Sequence, residues 1–185
     1  MKCSIGLHPW YLNDRAGLMD ELQRYAALPN VLAIGECGLD KVCNTPWELQ
    51  TLVFKQQIQI ANTLGKPLII HCVRAYDELL NILRSEKPSV PVIVHGFNKN
   101  ERVADRLLSA GVYLSFGAAI LNDLSPAAAT LKQVPAEMFF LETDDAQIDI
   151  TTVYKKAAAI RNISEEDIIL QLQQNFNKVF NYPEQ

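Results

Sequence analysis

Short apolar runs alternate along the chain with longer stretches in which apolar residues recur every third or fourth position. The runs fall at 2–7, 31–35, 67–70, 90–94, 112–116 and 138–141. Each is too short for a helix, and their Val, Ile and Leu content suits strands buried on both faces. The intervening stretches carry helix signals. Thr45-Pro46-Trp47-Glu48 reads as a capping box with proline at the first helical position, after which Leu49, Leu52, Val53, Ile60 and Leu64 share a face and Gly65 ends the helix. Helices are predicted over 75–85 (Leu79, Leu80, Leu83 inward) and over 101–110, with Gly111 as a left-handed exit. A short helix begins at Ser125-Pro126, another covers 151–160, and Ser164 caps the last, with Ile168, Leu172, Phe176 and Val179 turned inward.

Strand, turn, helix, repeated, predicts an α/β fold with a largely parallel sheet. At about 30 residues per unit, 185 residues hold about six βα units. An open sheet and a closed barrel both fit the pattern, and a complete eight-stranded barrel takes about 250 residues. The expectation is therefore a TIM-barrel-like fold, incomplete, with residues 1–185 as a single truncated domain.

Composition changes this picture little. With 49% apolar and 21% charged residues, the chain has a core to bury and is not disordered. A net charge of −4 removes the argument for broad, nonspecific nucleic-acid binding but not for a local charged site. No apolar run approaches the roughly 20 residues of a membrane helix. The start, MKCSIGLHPWY, is interrupted too early by His and Pro for a secretion signal. A cytoplasmic protein with no membrane role is expected. Cys3, Cys37, Cys43 and Cys72 form no CxxC pair and read as free thiols.

Chemistry enters at the ends of the apolar runs. SIGLH ends on His8, VLAIGE on Glu36, PLIIH on His71, VIVH on His95, and FFLETD on Glu142 and Asp144. All three histidines thus sit at strand C-termini, the rim where parallel α/β folds bind ligands. Imidazole and carboxylate are ligands for Zn²⁺, Mn²⁺ or Fe²⁺, and a glutamate can bridge two ions. Two such ions clamp a phosphoryl group and activate water, and Asp144 suits a metal ligand that also handles the proton of that water. Any one of these groups alone reads equally as a satisfied, half-buried side chain; their shared position is what points to a site. Gly35-Glu36-Cys37-Gly38 lacks the spacing and lysine of a phosphate loop. Cys37 or Cys72 as a thiol nucleophile has no independent support. Arg74 is either a phosphate clamp or a helix-start partner of Asp77 or Glu78. Lys99 and Arg102 either add local positive charge or are simply solvated. Trp10, Tyr11 and Phe97 are either stacking groups for a base or sugar or aromatic closure of the fold.

Taken together, GLHPW at 6–10, GECGLD at 35–40, Phe54, Gln57 and Ala61 leading to KPLIIHC at 66–72, VIVHGF at 92–97, LSFG at 114–117, LETD at 141–144 and the closing Asn175 and Phe180 resemble the TatD family of metal-dependent hydrolases, deoxyribonucleases within the amidohydrolase-like barrel superfamily. The resemblance runs in order over nearly the whole chain. It implies two divalent ions (Zn, Mn or Mg), Glu36 bridging them, His71 and His95 binding one, and Asp144 as the metal-binding catalytic acid. It also implies His8 near the substrate and hydrolysis of a phosphodiester, with DNA or a nucleotide as partner; Arg74 and Phe97 are expected on the substrate side from their own positions.

Departures from the family pattern bear on these expectations. The family opens with a strand ending in His-x-His that completes the metal pair, and no such triplet occurs in this sequence. A late gene start, a cut at an internal Met, or a truncated protein whose open barrel side is covered by another copy in a homo-oligomer would each account for it. Val73 stands where the family's Arg is usual, with Arg74 one place later, and the segment after LETD is short. Two other function classes stay open on the sequence: a non-catalytic oligomeric remnant lacking the HxH ligands, and an amide or lactone hydrolase of the same superfamily.

Overall fold

A computed structural model describes residues 2–12 and 17–181. Its strands and α-helices run β1 (Cys3–Ile5), α1 (Leu18–Ala26), β2 (Val31–Asp40), α2 (Trp47–Leu64), β3 (Leu68–Val73), α3 (Tyr76–Glu86), β4 (Val92–Val94), α4 (Glu101–Ser109), β5 (Val112–Phe116), α5 (Pro126–Leu131), β6 (Phe139–Leu141), α6 (Ile150–Arg161) and α7 (Glu165–Phe180). This is the predicted α/β, TIM-barrel-like class, with six βα units against the eight of a complete barrel. No helix among the described residues is long and apolar enough to cross a membrane. The chain divides into two compact units, Met1–Ile93 and Val94–Gln185.

In the first unit, β1, β2 and β3 pair parallel in chain order, from Cys3 opposite Val31 to Asp40 opposite Val73. β2 runs five residues beyond the predicted 31–35, because the Gly-Glu-Cys-Gly stretch, which locally reads as a turn, is held extended by β3. Gly38 lies opposite His71 with φ +135°, and a Cβ there would sit 2.1 Å from the His71 carbonyl oxygen. Only glycine fits that approach. α1 carries no pattern long enough to read: just Leu22 and Ala26, one turn apart, are buried. α2 starts at Trp47 with Pro46 in extended conformation at its N-cap and no side-chain cap from Thr45, while Gly65 exits left-handed as predicted. Its inward face is rotated from the expected one. Leu52 is exposed, and Gln50 and Gln57 are buried beside Val53, Phe54, Ile58 and Ala61. Phe54, Ile58, Ile34, Leu39, Leu68 and Ile70 are among the fully buried side chains of this unit.

The second unit pairs β5 with β6 in parallel, Leu114 opposite Phe139 through Phe116 opposite Leu141. The chain following β4 joins them where the Phe97 N–H donates to the Ser115 carbonyl at 2.9 Å. Its core is aromatic: Phe97 meets Phe116 edge-on at 5.7 Å, and Phe116 meets Phe139 at 6.5 Å. The helix starts follow the side-chain chemistry. Ser125 accepts from the Ala128 N–H and Ser164 from the Asp167 N–H, as predicted, and Asn100 and Asp149 cap α4 and α6. In α7, Ile168, Leu172 and Val179 point inward, but Asn175 rather than Phe176 completes the face. Asn175 Nδ2 donates to the carbonyls of Ala136 and Phe139, tying the helix to β6, while Phe176 stacks on Phe180 at 4.6 Å.

Candidate metal centre

Three donors gather at the C-terminal side of the first unit's strands. His8, Glu36 and His71 each offer a ligand atom, all within 4.8 Å of one another. Their convergence has a local cause in each case. Gln57, on the buried face of α2, accepts from the Leu7 N–H at 2.7 Å and donates to the Leu7 carbonyl at 3.1 Å, fixing the backbone one residue before His8. His8 Nδ1 then accepts from the Trp10 N–H at 3.1 Å, so Nε2 is the nitrogen turned to Glu36, 3.7 Å from its Oε2. Glu36 and His71 ride on β2 and β3, whose pairing around Gly38 brings the two strands together at this level.

Behind His71 lies a carboxylate. Asp40 is 2% exposed, and its Oδ2 stands 2.9 Å from His71 Nε2 while accepting from Trp10 Nε1 at 2.6 Å. Its Oδ1 accepts from the Val42 N–H at 2.7 Å. Gln50 grips the same residue's backbone, accepting from Asp40 N–H and donating to Asp40 O. Burial pushes the Asp40 carboxyl upward, but the hydrogen bonds from Trp10, His71 and Val42 outweigh it and hold the group below the usual carboxylate range. An ionised Asp40 accepting from Nε2–H presents Nδ1 of His71 as the ligand nitrogen, the arrangement by which metal-binding histidines are oriented.

In the second unit, His95 follows β4 and Asp144 follows β6. Glu142 anchors this rim. Its N–H donates to the Phe116 carbonyl, Oε1 accepts from the Gly96 N–H at 2.6 Å, and Oε2 accepts from the Ser115 hydroxyl. Its Oε1 lies 3.7 Å from His95 Nδ1, longer than a hydrogen bond and unlike the 2.9 Å contact behind His71. Asp144 sits in the left-handed region at φ +50°, an uncommon conformation for a non-glycine residue and one that recurs at functional sites.

Neutral imidazole and carboxylate, half-buried and clustered, fit a divalent cation of the Zn²⁺ or Mn²⁺ kind. The first unit supplies two imidazoles and Glu36 to such an ion, and the second carries donors of the same chemistry, His95 and Asp144.

The structure sorts the remaining expectations. His8, expected on the substrate side, stands among the donors. Phe97 does not face substrate: it is fully buried against Phe116, where the apolar core takes its ring. Arg74 is exposed with φ +53°, and Glu78, one of its expected partners, pairs with Lys41 instead. Cys37 is fully buried, and burial together with the charge of Glu36 raises its thiol pKa far above the ordinary value, the opposite of what a thiolate nucleophile needs. Trp10 and Tyr11 are 55% and 74% exposed, so they do not close the core. Sequence reasoning missed Asp40, Gln50 and Gln57. A signal for Asp40 was present, since Gly38 and Asp40 keep the two-residue period of a continuing strand.

A family model for TatD-related DNases matches residues 1–181. An uncharacterized metal-dependent hydrolase of Buchnera aphidicola is 31% identical, covering 97% of this chain and 74% of that protein. The 3'-5' ssDNA/RNA exonuclease TatD of Edwardsiella piscicida is 32% identical over 86% of this chain and 63% of its own length. The crystal structure of YJJV, a TatD homolog from Escherichia coli K12, superposes with a TM-score of 0.89 at 25% identity, covering 98% of this chain and 77% of that one. A TatD-family hydrolase from Entamoeba histolytica shares the fold, with a TM-score of 0.85 at 19% identity over 97% of this chain and 74% of that one. The chain thus spans 63% to 74% of the length of the two curated relatives. Ordered motifs, a rim of imidazole and carboxylate donors and a match over residues 1–181 lead to one assignment: the chain belongs to the TatD-related DNase family of metal-dependent hydrolases.

Proposed function

We propose that the protein hydrolyses phosphodiester bonds of single-stranded DNA with two divalent cations, one of them held by His8, Glu36 and His71, and with His95 and Asp144 as further donors. Residues 1–185 act in this reading as one catalytic domain. The observation that carries it is the His8–Glu36–His71 cluster, with ligand atoms within 4.8 Å and a buried carboxylate behind His71. The exonuclease named among the relatives supports nucleic acid as the substrate class.

When bound, the ions would neutralise the phosphate and lower the pKa of the attacking water. The chain's own residues do the rest. Asp40 orients the imidazole of His71. Asp144 accepts the proton of the attacking water, and Arg74, exposed beside the rim, offers a fork of donors to a non-bridging phosphate oxygen. Four cysteines without a disulfide suit a reducing, cytoplasmic compartment. Cys3 and Ser4 of β1 are exposed and, among the described residues, β1 pairs with β2 alone, so its outer edge is where a second copy would add.

Metal content by mass spectrometry, combined with hydrolysis of end-labelled oligonucleotides by the native protein and by His95→Ala and Asp144→Ala, tests the reading. Close to two ions per chain is expected, with loss of at least 100-fold in rate in either variant. Full metal-dependent DNA hydrolysis by both variants, or turnover of small lactones with none of DNA, contradicts it.

A further inference from the structure

The site's aromatic edge is built rather than merely exposed. Trp10 shows 55% of its surface, yet its indole Nε1–H is held at 2.6 Å by Asp40, itself 2% exposed. The Asp40 oxygen that holds the indole also takes His71 Nε2 at 2.9 Å. A flexible surface tryptophan is thereby locked in register with a ligand-bearing imidazole. The indole lies edge-on to His8 and His71, with ring centroids at 5.2 and 5.9 Å. Tyr11, 74% exposed, stands 6.4 Å from the indole at 72° and 5.6 Å from His8. Two large rings thus form a corner bordering the donors. A corner of this kind suits a flat, π-bearing group attached to whatever those donors hold.

We propose that Trp10 and Tyr11 form a nucleobase-stacking subsite that receives the base of the nucleotide whose phosphate is cleaved. The inference rests on the phosphodiesterase reading above and deepens it by assigning the base a place. The N–H edge of the indole is fixed by Asp40, so the distance from stacked base to metal-held phosphate is set by the fold rather than by a mobile loop. Stacking needs only a π-face, so all four bases are accepted with modest preference, and a terminal nucleotide without a base is disfavoured.

The test compares single-stranded oligonucleotides with a normal or a base-free terminal nucleotide, in the metal-loaded protein and in Trp10→Ala, Trp10→Phe and Tyr11→Ala. A KM preference for the base-bearing end of about tenfold is expected. It should collapse in Trp10→Ala, fall in Tyr11→Ala, and be largely restored by Trp10→Phe, with kcat less affected than KM. A binding readout runs beside it. In a Trp47→Phe background, deoxynucleoside monophosphate should quench Trp10 fluorescence, whereas deoxyribose 5-phosphate should not. An unchanged preference in both Trp10→Ala and Tyr11→Ala, or equal quenching by the base-free sugar phosphate, overturns the proposal. If no oligonucleotide is hydrolysed, the phosphodiesterase reading fails, and the quenching comparison still decides whether the rings take a base.

Discussion

Asp40 is the residue on which most of the first unit's site depends. It binds no cation itself, but one of its oxygens meets both His71 and Trp10 and the other meets the Val42 N–H. Asp40→Asn keeps the shape and removes the charge and one acceptor. Metal affinity is expected to fall about 10- to 100-fold, measured by competition with a chelating dye; unchanged affinity would show that His71 is oriented by something else. The same carboxylate sets a pH dependence. Its folded-state pKa lies below the ordinary carboxylate value, so it adds stability above that ordinary value, and the contribution disappears as pH falls through the depressed one. Urea midpoints of the metal-free protein should therefore drop between pH 5 and the acid range more steeply than those of Asp40→Asn. Parallel pH profiles for the two proteins would count against an ionised, hydrogen-bonded Asp40.

Among the elements, α2 shows how a helix can serve a site through polar groups on its buried face. Gln57 clamps both backbone groups of Leu7, and Gln50 clamps those of Asp40. Gln57→Ala leaves the part-buried N–H and C=O of Leu7 without these partners, at about 1 kcal/mol, and frees the segment that places His8. Denaturant unfolding should register the loss, and weaker metal binding should accompany it; a stability loss without the metal effect would confine Gln57 to packing. At this scale the sequence was legible where local chemistry decides. Ser125, Ser164 and Gly65 mark helix ends as read, and β5 has its predicted bounds. It misled where tertiary contacts override local preference. Pairing with β3 extends β2 through a glycine-rich stretch to Asp40. Leu52 points outward because Gln50 and Gln57 are needed inside, and a period count has no means of ranking a glutamine above a leucine. Of the candidate site, the grouping of His8, Glu36 and His71 toward the C-terminal side of their strands could be read directly, although Glu36 and His71 lie within β2 and β3 rather than at their ends. The carboxylate behind His71, and the burial of Phe97, depend on side-chain directions that spacing does not encode.

Over the whole molecule, the proposed cation couples binding to folding, because His8, Glu36 and His71 come from segments far apart in sequence that meet in the fold of the first unit. A cation present at about 100 times its dissociation constant adds about 2.7 kcal/mol to stability. For a chain of this size each kcal/mol shifts the thermal midpoint by about 2–4 °C. Stripping the metal with a chelator should therefore lower the midpoint by about 5–10 °C, and Glu36→Ala should show no such difference. Equal shifts in the native and variant proteins would place the stabilising ion elsewhere. The central claim is that His8, Glu36 and His71 together hold a divalent cation. Anomalous diffraction from crystals grown with Mn²⁺ or Zn²⁺ tests it most directly. A peak is predicted within coordination distance of the Glu36 carboxylate and of His71 Nδ1; a map without a peak at Glu36 and His71 would contradict the account.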